Sequence, residues 1–153
     1  MTAAAETLEA SARRIGRHAW VEQNLFETVG GWVTSTPEAA AKAALAAQSR
    51  HHAWRAEQWY GLLPAVPHLA VEDLVTPPPD VLPPPGDGTA ARLAWLVDQA
   101  LPALLAAYAD HLAATTPPTD GPTIRILGLV TADVRSDLAA AAEAVRQPGT
   151  PAT

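Results

Sequence analysis

The chain has 153 residues, a formal net charge of −6 and an isoelectric point of about 5.2. This length is sufficient for one domain with a sizeable core, and the acidic balance argues against nucleic acid as a main partner. The sequence contains no cysteine, which excludes disulfides and thiol chemistry. Alanine and leucine are abundant and β-branched runs are scarce, so the composition predicts an all-α fold.

Targeting signals are not apparent in the sequence. The N-terminus lacks the basic-then-apolar pattern of a secretory signal. No run approaches the roughly 18 apolar residues of a membrane span. We therefore expect a cytoplasmic protein that does not interact with membranes.

The first half of the chain predicts two helices joined by a short turn. The first covers residues 7–33, where apolar side chains recur at helical spacing. The second begins with Thr36 as its N-cap and Pro37 at its first helical position, and it continues to about residue 63. Because the connection is short, the two helices are expected to form an antiparallel hairpin.

Prolines dominate residues 64–88, where two triplets at 77–79 and 83–85 precede a Gly-Asp-Gly turn. Such a composition favours extended polyproline geometry over helix. At roughly 3.1 Å per residue, this segment could travel the roughly 40 Å of a long helix. It therefore predicts a crossover from one end of a bundle to the other, although a simple outward loop is the alternative.

Two further helices are expected at residues 89–115 and 122–146, and Pro102 is expected to kink the first of them. They complete a single helical domain over residues 7–147, followed by a flexible tail at 148–153. One long crossover between the second and third of four helices predicts a four-helix bundle of ferritin-like topology.

The candidate site consists of ionisable and polar residues on helical stripes that otherwise face the core. Glu22 interrupts the apolar stripe of the first helix, and His51 occupies a similar position on the second. His18 lies four residues before Glu22, Gln48 lies three before His51, and His111 ends the third stripe. A charge in such a position is costly unless it is paired or bound to something. These five residues are therefore the predicted metal ligands.

This pattern resembles the ferritin-like di-iron carboxylate superfamily. In that family two helices each supply a Glu, and the other two each supply a Glu-x-x-His motif. Glu22 matches the first-helix Glu, and the stretch from Gln48 to His51 matches the second-helix motif in spacing, with Gln in place of Glu. The resemblance implies iron or manganese between the helices and an oxidase or oxygenase activity.

The second half of the chain departs from the family pattern. The third helix has no Glu, so that Tyr108 is the nearest substitute, and the fourth has Asp133 and Ser136 at the motif spacing. A neutral Gln bridges metals poorly, and one remaining carboxylate could hardly balance two iron ions. The resemblance therefore indicates a degenerate member of the superfamily.

Two functions are predicted as alternatives, and no catalytic residue is assigned. The favoured prediction is a non-catalytic bundle that acts as a binding or assembly protein, without a cofactor, in which Glu22 is hydrogen-bonded to a histidine. The alternative is an iron- or manganese-dependent oxidase or oxygenase. Its single metal would be held by Glu22 and two of the residues His18, His51 and His111. His52 and His68 are expected to be exposed.

Five tryptophans stand against one phenylalanine, and they cannot all face one bundle axis. Trp20 lies two residues from Glu22 and therefore points away from its stripe. Such rings often mark a protein interface, and packing against the Pro-rich segment is an equal alternative. The predicted partners are a second protein or a second copy of this chain, with a small molecule as a further possibility.

Overall fold

The computed structural model describes residues 6–147, which form five helices and no β-strand. The predicted all-α class is thus confirmed, while the predicted tail at 148–153 lies outside the described residues. In chain order the helices are α1 (Leu8–Val33), α2 (Ala39–Gly61), α3 (Val71–Leu74), α4 (Thr89–Ala114) and α5 (Gly121–Arg146).

The helix ends follow local signals, with one exception. The Thr7 side chain accepts a hydrogen bond from the Ala10 amide at 3.1 Å and caps the start of α1. The prediction of Thr36 as the N-cap of α2 is wrong, because its hydroxyl donates to the Trp32 carbonyl at 2.8 Å. Thr36 therefore satisfies a carbonyl at the end of α1, and Glu38 occupies the N-cap position of α2.

The four long helices bury one apolar core. Helix α1 packs along α2, α5 packs against both α2 and α4, and α3 lies on α1. The core draws on α1, α2, α4 and α5, and its members include Ile15, Ala19, Leu25, Val29, Leu45, Trp59, Leu96, Leu101, Leu104, Leu127, Val130 and Val134.

The Pro-rich segment between α2 and α4 docks on α1 rather than remaining wholly extended. Helix α3 was not predicted, and its Leu74 forms a second small buried cluster with Leu69 and Ala12. Gly16 permits this contact, because a Cβ at that position would overlap the main-chain carbonyl of Leu74. A glycine inside a helix is thus explained by the close approach of another backbone.

We expect Gly16→Ala to destabilise the protein by about 1–3 kcal/mol through overpacking, although alanine favours helix by about 1 kcal/mol. Gly128→Ala is the matched control, since nothing lies within 4 Å of the corresponding Cβ. That variant should be as stable as the parent or slightly more stable. Urea unfolding measures both free energies, and a Gly16→Ala variant as stable as the parent would contradict the assigned contact.

Helix α4 changes hydrogen-bond register in its middle. Residues Leu96–Ala100 form a π-helical turn, and the Leu101 amide donates to the Leu96 carbonyl. Pro102 follows directly, and it has no amide hydrogen to continue an α-helical ladder. The π-turn lies directly before Pro102, where the sequence predicted a kink.

Helix α4 is also long and apolar enough, by length and composition, to cross a membrane. Its best window has a mean hydropathy of 1.2, and 33% of that window is buried within the protein. This differs from the sequence expectation of no such run. A core helix whose exposed face is mostly alanine reaches the same hydropathy, because alanine counts as apolar wherever it points.

Candidate functional site

Glu22 lies in the middle of α1 and is fully buried. Arg55 Nε donates to its Oε1 at 2.8 Å, the Tyr108 hydroxyl donates to the same oxygen, and His52 Nδ1 lies 2.5 Å from Oε2. Burial alone raises the pKa of Glu22, but these three neighbours outweigh burial and lower the pKa below its usual value. Glu22 is therefore an ionised carboxylate with both oxygens occupied.

Arg55 on α2 is the centre of this buried network. Its side chain is fully buried, and its Nη1 donates to Asp137 Oδ2 at 2.9 Å and to Asp133 Oδ2. Burial lowers the pKa of Arg55, but Glu22 and Asp137 raise it above its ordinary value. One permanent positive charge thus joins carboxylates from α1 and α5, and we name these four residues the Arg55 network.

Tyr108 on α4 completes the contacts from all four long helices. Burial, and then the charge of Glu22, raise the pKa of Tyr108 well above its usual value, so the hydroxyl keeps its proton and acts as a donor. Its oxygen accepts a hydrogen bond from Trp59 Nε1 at 3.1 Å. The predicted substitute for the third-helix Glu therefore binds Glu22 by hydrogen bonding.

His52 binds the network through one ring nitrogen only. Its Nδ1 faces both Glu22 Oε2 at 2.5 Å and Arg55 Nη2 at 2.8 Å. Because Glu22 is ionised and accepts, we assign the Nδ1 proton to the contact with Glu22. Its Nε2 is buried, and it shares with Gln48 Oε1 the absence of a protein partner among the described residues.

His51 and Gln48 contact Asp137 rather than Glu22. His51 Nδ1 lies 2.6 Å from Asp137 Oδ1, and Gln48 Nε2 donates to the Asp137 main-chain carbonyl at 3.2 Å. The His51 side chain is 44% exposed, so this end of the site reaches solvent. The two polar residues therefore connect α2 to α5.

His18 and His111 form a separate buried pair. His18 Nε2 and His111 Nδ1 are 3.0 Å apart, and the His18 ring packs on Trp59 and Tyr108. Burial, followed by the neighbouring His111 and Arg14, lowers the pKa of His18 to about 3. Burial, followed by Arg14, lowers the pKa of His111 to about 4. Both rings are therefore neutral near pH 7, and one donates a hydrogen to the other.

The five predicted metal ligands thus fall into three separate groups. Glu22 is paired with Arg55, His51 and Gln48 contact Asp137, and His18 contacts His111. Within residues 6–147, the one group of three or more histidine and carboxylate ligand atoms that all lie within 4.8 Å of one another consists of His51, Asp133 and Asp137, and His51 alone of these is a predicted ligand. Both of its carboxylates are already paired with Arg55.

The two most buried polar residues of α2, His52 and Arg55, were not predicted from the sequence. The prediction that His52 is exposed is wrong, because its side chain is fully buried. Gln48, His52, Arg55 and Trp59 recur at helical spacing and form the inward face of α2. Alanines on every side of α2 conceal that phase in the sequence.

The site contains paired charges and hydrogen bonds, but both oxygens of its most buried carboxylate, Glu22, already have partners and are not available to a ligand or substrate. The Arg55 network is a fixed set of charges that links helices distant in sequence. Comparison of the chain with protein-family models, with curated proteins and with solved structures gives no match.

Proposed function

We propose that this chain is a non-catalytic four-helix bundle of ferritin-like topology that acts as a binding or assembly protein. The observation that carries the proposal is the place of Arg55. Its guanidinium lies among Glu22, Asp133 and Asp137, on the helices from which ferritin-like proteins direct ligands at their metals. The guanidinium of Arg55, which stays protonated, supplies in this chain the positive charge that a metal ion supplies in those proteins.

The connections between helices support the topology. Short connections join α1 to α2 and α4 to α5, whereas residues 62–88 lie between α2 and α4. A single long connection between the second and third long helices is typical of ferritin-like folds. The proposal takes the Pro-rich segment, including α3, as that connection.

The contacts of the other ligand candidates argue against metal-dependent oxidation. His18 and His111 bind each other, and Tyr108 donates to Glu22. An iron or manganese ion at His51 and the two aspartates would lie beside the Arg55 guanidinium. Two unit charges of like sign about 4 Å apart repel by roughly 4 kcal/mol at an effective dielectric constant of about 20, and a divalent ion doubles this repulsion. Metal binding there therefore competes with the buried arginine.

Metal loading tests this proposal. Protein incubated anaerobically with ferrous iron or manganese and then desalted is expected to retain no stoichiometric metal by elemental analysis. Asp137→Asn should give the same result as the parent protein. Stoichiometric metal in the parent that disappears in Glu22→Ala or Asp137→Asn, but persists in the exposed-carboxylate control Asp110→Asn, would contradict the proposal.

The assembly role rests on an exposed tryptophan. Trp54 on α2 is 40% exposed, whereas Trp59 and Trp95 are buried. A rigid aromatic side chain at a surface favours protein contacts. A homodimer through the Trp54 face stays a prediction, which the molar mass in solution reports directly.

A further inference from the structure

A groove of about 350 Å³ separates α1 from α4 and is covered by the Pro-rich residues 78–82. These two helices approach each other less closely than the pairs that build the core. The α4 wall consists largely of Ala100, Ala103 and Ala107, whose small side chains do not fill the space. Its volume is at the lower end of the range for small-molecule sites.

The walls of the groove are mainly apolar along most of its length. The rings of Trp20 and Trp95 face it together with Leu25 and Leu104. Trp95 Nε1 donates to the Pro83 carbonyl at 2.9 Å, which attaches the Pro-rich segment to this wall. The groove therefore accommodates an apolar chain or ring.

One end of the groove is polar and basic. Arg14, Arg17 and His18 lie within one turn of α1 and all line it. Arg14 pairs with Glu6 at 2.9 Å, whereas Arg17 has no ion-pair partner in the described part of the chain. His18 is only 5% exposed, and its Nδ1 has no hydrogen-bond partner among residues 6–147.

Either histidine of the pair can donate the hydrogen bond between them, so the donor and acceptor atoms of His18 can change. When His111 Nδ1 donates to His18 Nε2, the His18 Nδ1 carries a hydrogen and is available as a donor. A carboxylate there would accept from His18 and from a guanidinium, and Arg–carboxylate hydrogen bonds are among the stronger ones in proteins. Asp80 and Asp110 also line the groove, and Asp110, which precedes His111, lies at the same end as His18; both aspartates are exposed.

We propose that this groove binds an amphipathic monocarboxylate. Its apolar part lies along Trp20, Leu25 and Trp95, and its carboxylate lies at Arg17 and His18. This inference rests on the proposed binding role, and it names the ligand class that the role would serve.

Calorimetric titration with decanoate tests the inference, with decanol and decylammonium as charge controls. Decanoate is expected to bind at one site, and both controls should bind roughly tenfold more weakly, equivalent to about 1.4 kcal/mol. Ala107→Leu should abolish binding by filling the groove, whereas Ala109→Leu on the exposed face should not. Equal or tighter binding of decylammonium would overturn the proposed head group.

Substitutions of the arginines separate the charged end from the apolar part. Arg17→Gln should weaken decanoate by roughly tenfold and leave decanol unchanged. Arg13→Gln, whose side chain pairs with Glu9 instead, should change neither. Unaltered decanoate binding in Arg17→Gln or in Ala107→Leu would overturn the inference. Metal analysis of the same samples keeps the two proposals apart, because metal lost in Glu22→Ala contradicts the proposed function whatever decanoate does.

Discussion

Arg55→Met is expected to destabilise the protein by about 3–5 kcal/mol. Methionine fills a similar space, so the loss reports on charge rather than on a cavity. It removes the guanidinium that pairs with Glu22, Asp133 and Asp137, and it leaves the buried Glu22 carboxylate without that counter-charge. Since domains are typically stable by only about 5–15 kcal/mol, urea unfolding should detect the change easily.

Two further variants show whether the pairing is responsible. Arg55→Lys keeps the charge but loses the forked geometry, so a smaller loss is expected. Arg55→Met combined with Glu22→Gln should cost less than the sum of the two single changes, because Gln removes the unpaired charge. A free energy of unfolding for Arg55→Met within about 1 kcal/mol of the parent would contradict the role assigned to Arg55.

The same variant tests whether Arg55 takes the part of a cation. In Arg55→Met the three carboxylates face one another without a guanidinium. We expect Mn²⁺ to raise the unfolding midpoint of this variant and not that of the parent, since a ligand that binds only the folded state stabilises it. No effect of Mn²⁺ on the variant would remove this part of the proposal.

The buried pair of His18 and His111 is expected to lower stability by a few kcal/mol, on the order of 4 kcal/mol, between pH 8 and pH 5. His18 and His111 have pKa values of about 3 and about 4 in the folded protein, against a usual value of 6.5. As pH drops below 6.5, the unfolded chain binds protons that the folded protein excludes. The stabilisation is therefore fully present above that pH and is lost as pH falls toward the folded values.

Glu22 adds a separate loss at lower pH. Its pKa in the folded protein lies below the usual 4.5, so its contribution is present above that value and is lost as pH falls through the folded pKa. Measurements restricted to pH 5–8 therefore avoid the titration of Glu22. The free energy of unfolding should be measured by equilibrium urea unfolding at several pH values in this window.

A matched pair of variants assigns the pH dependence. The double variant His18→Gln with His111→Gln has no titratable group at these two positions. Its free energy of unfolding should therefore change much less than that of the parent between pH 8 and pH 5. His68→Gln replaces an exposed histidine and should leave the slope as in the parent. An unchanged slope in the double variant would contradict the assignment.

Much of the helical architecture could be predicted from local sequence. Alanine-rich stretches between proline clusters predicted four long helices, and the observed bounds of α1 and α5 differ from the predicted ones by a single residue. Helix propensity and helix-breaking residues act over a few residues, so their effects can be predicted without knowledge of the fold. Helix α3 escaped prediction because its stability comes from the contact of Leu74 with α1.

The candidate site could be predicted only in part. Glu22 was recognised because a lone carboxylate interrupts an apolar stripe, and it is indeed buried. The partners of Glu22 were not recognised, because alanine and other apolar residues lie on several faces of α2 and hide which face points inward. A change in helical phase by one residue decides whether His51 or His52 faces Glu22. The role of Arg55 was not predicted from the sequence, because only the packing of α1, α2 and α5 brings it to three carboxylates.

The all-α class, the approximate positions of the long helices and the presence of a costly buried carboxylate follow from local patterns in the sequence. The tertiary structure decided what balances that carboxylate, because the charges come from residues far apart in the chain. Local patterns report on propensity and periodicity, whereas a buried ion pair depends on which faces meet across helices. Here those faces bring a guanidinium to Glu22 and separate the histidines that spacing alone had grouped with it.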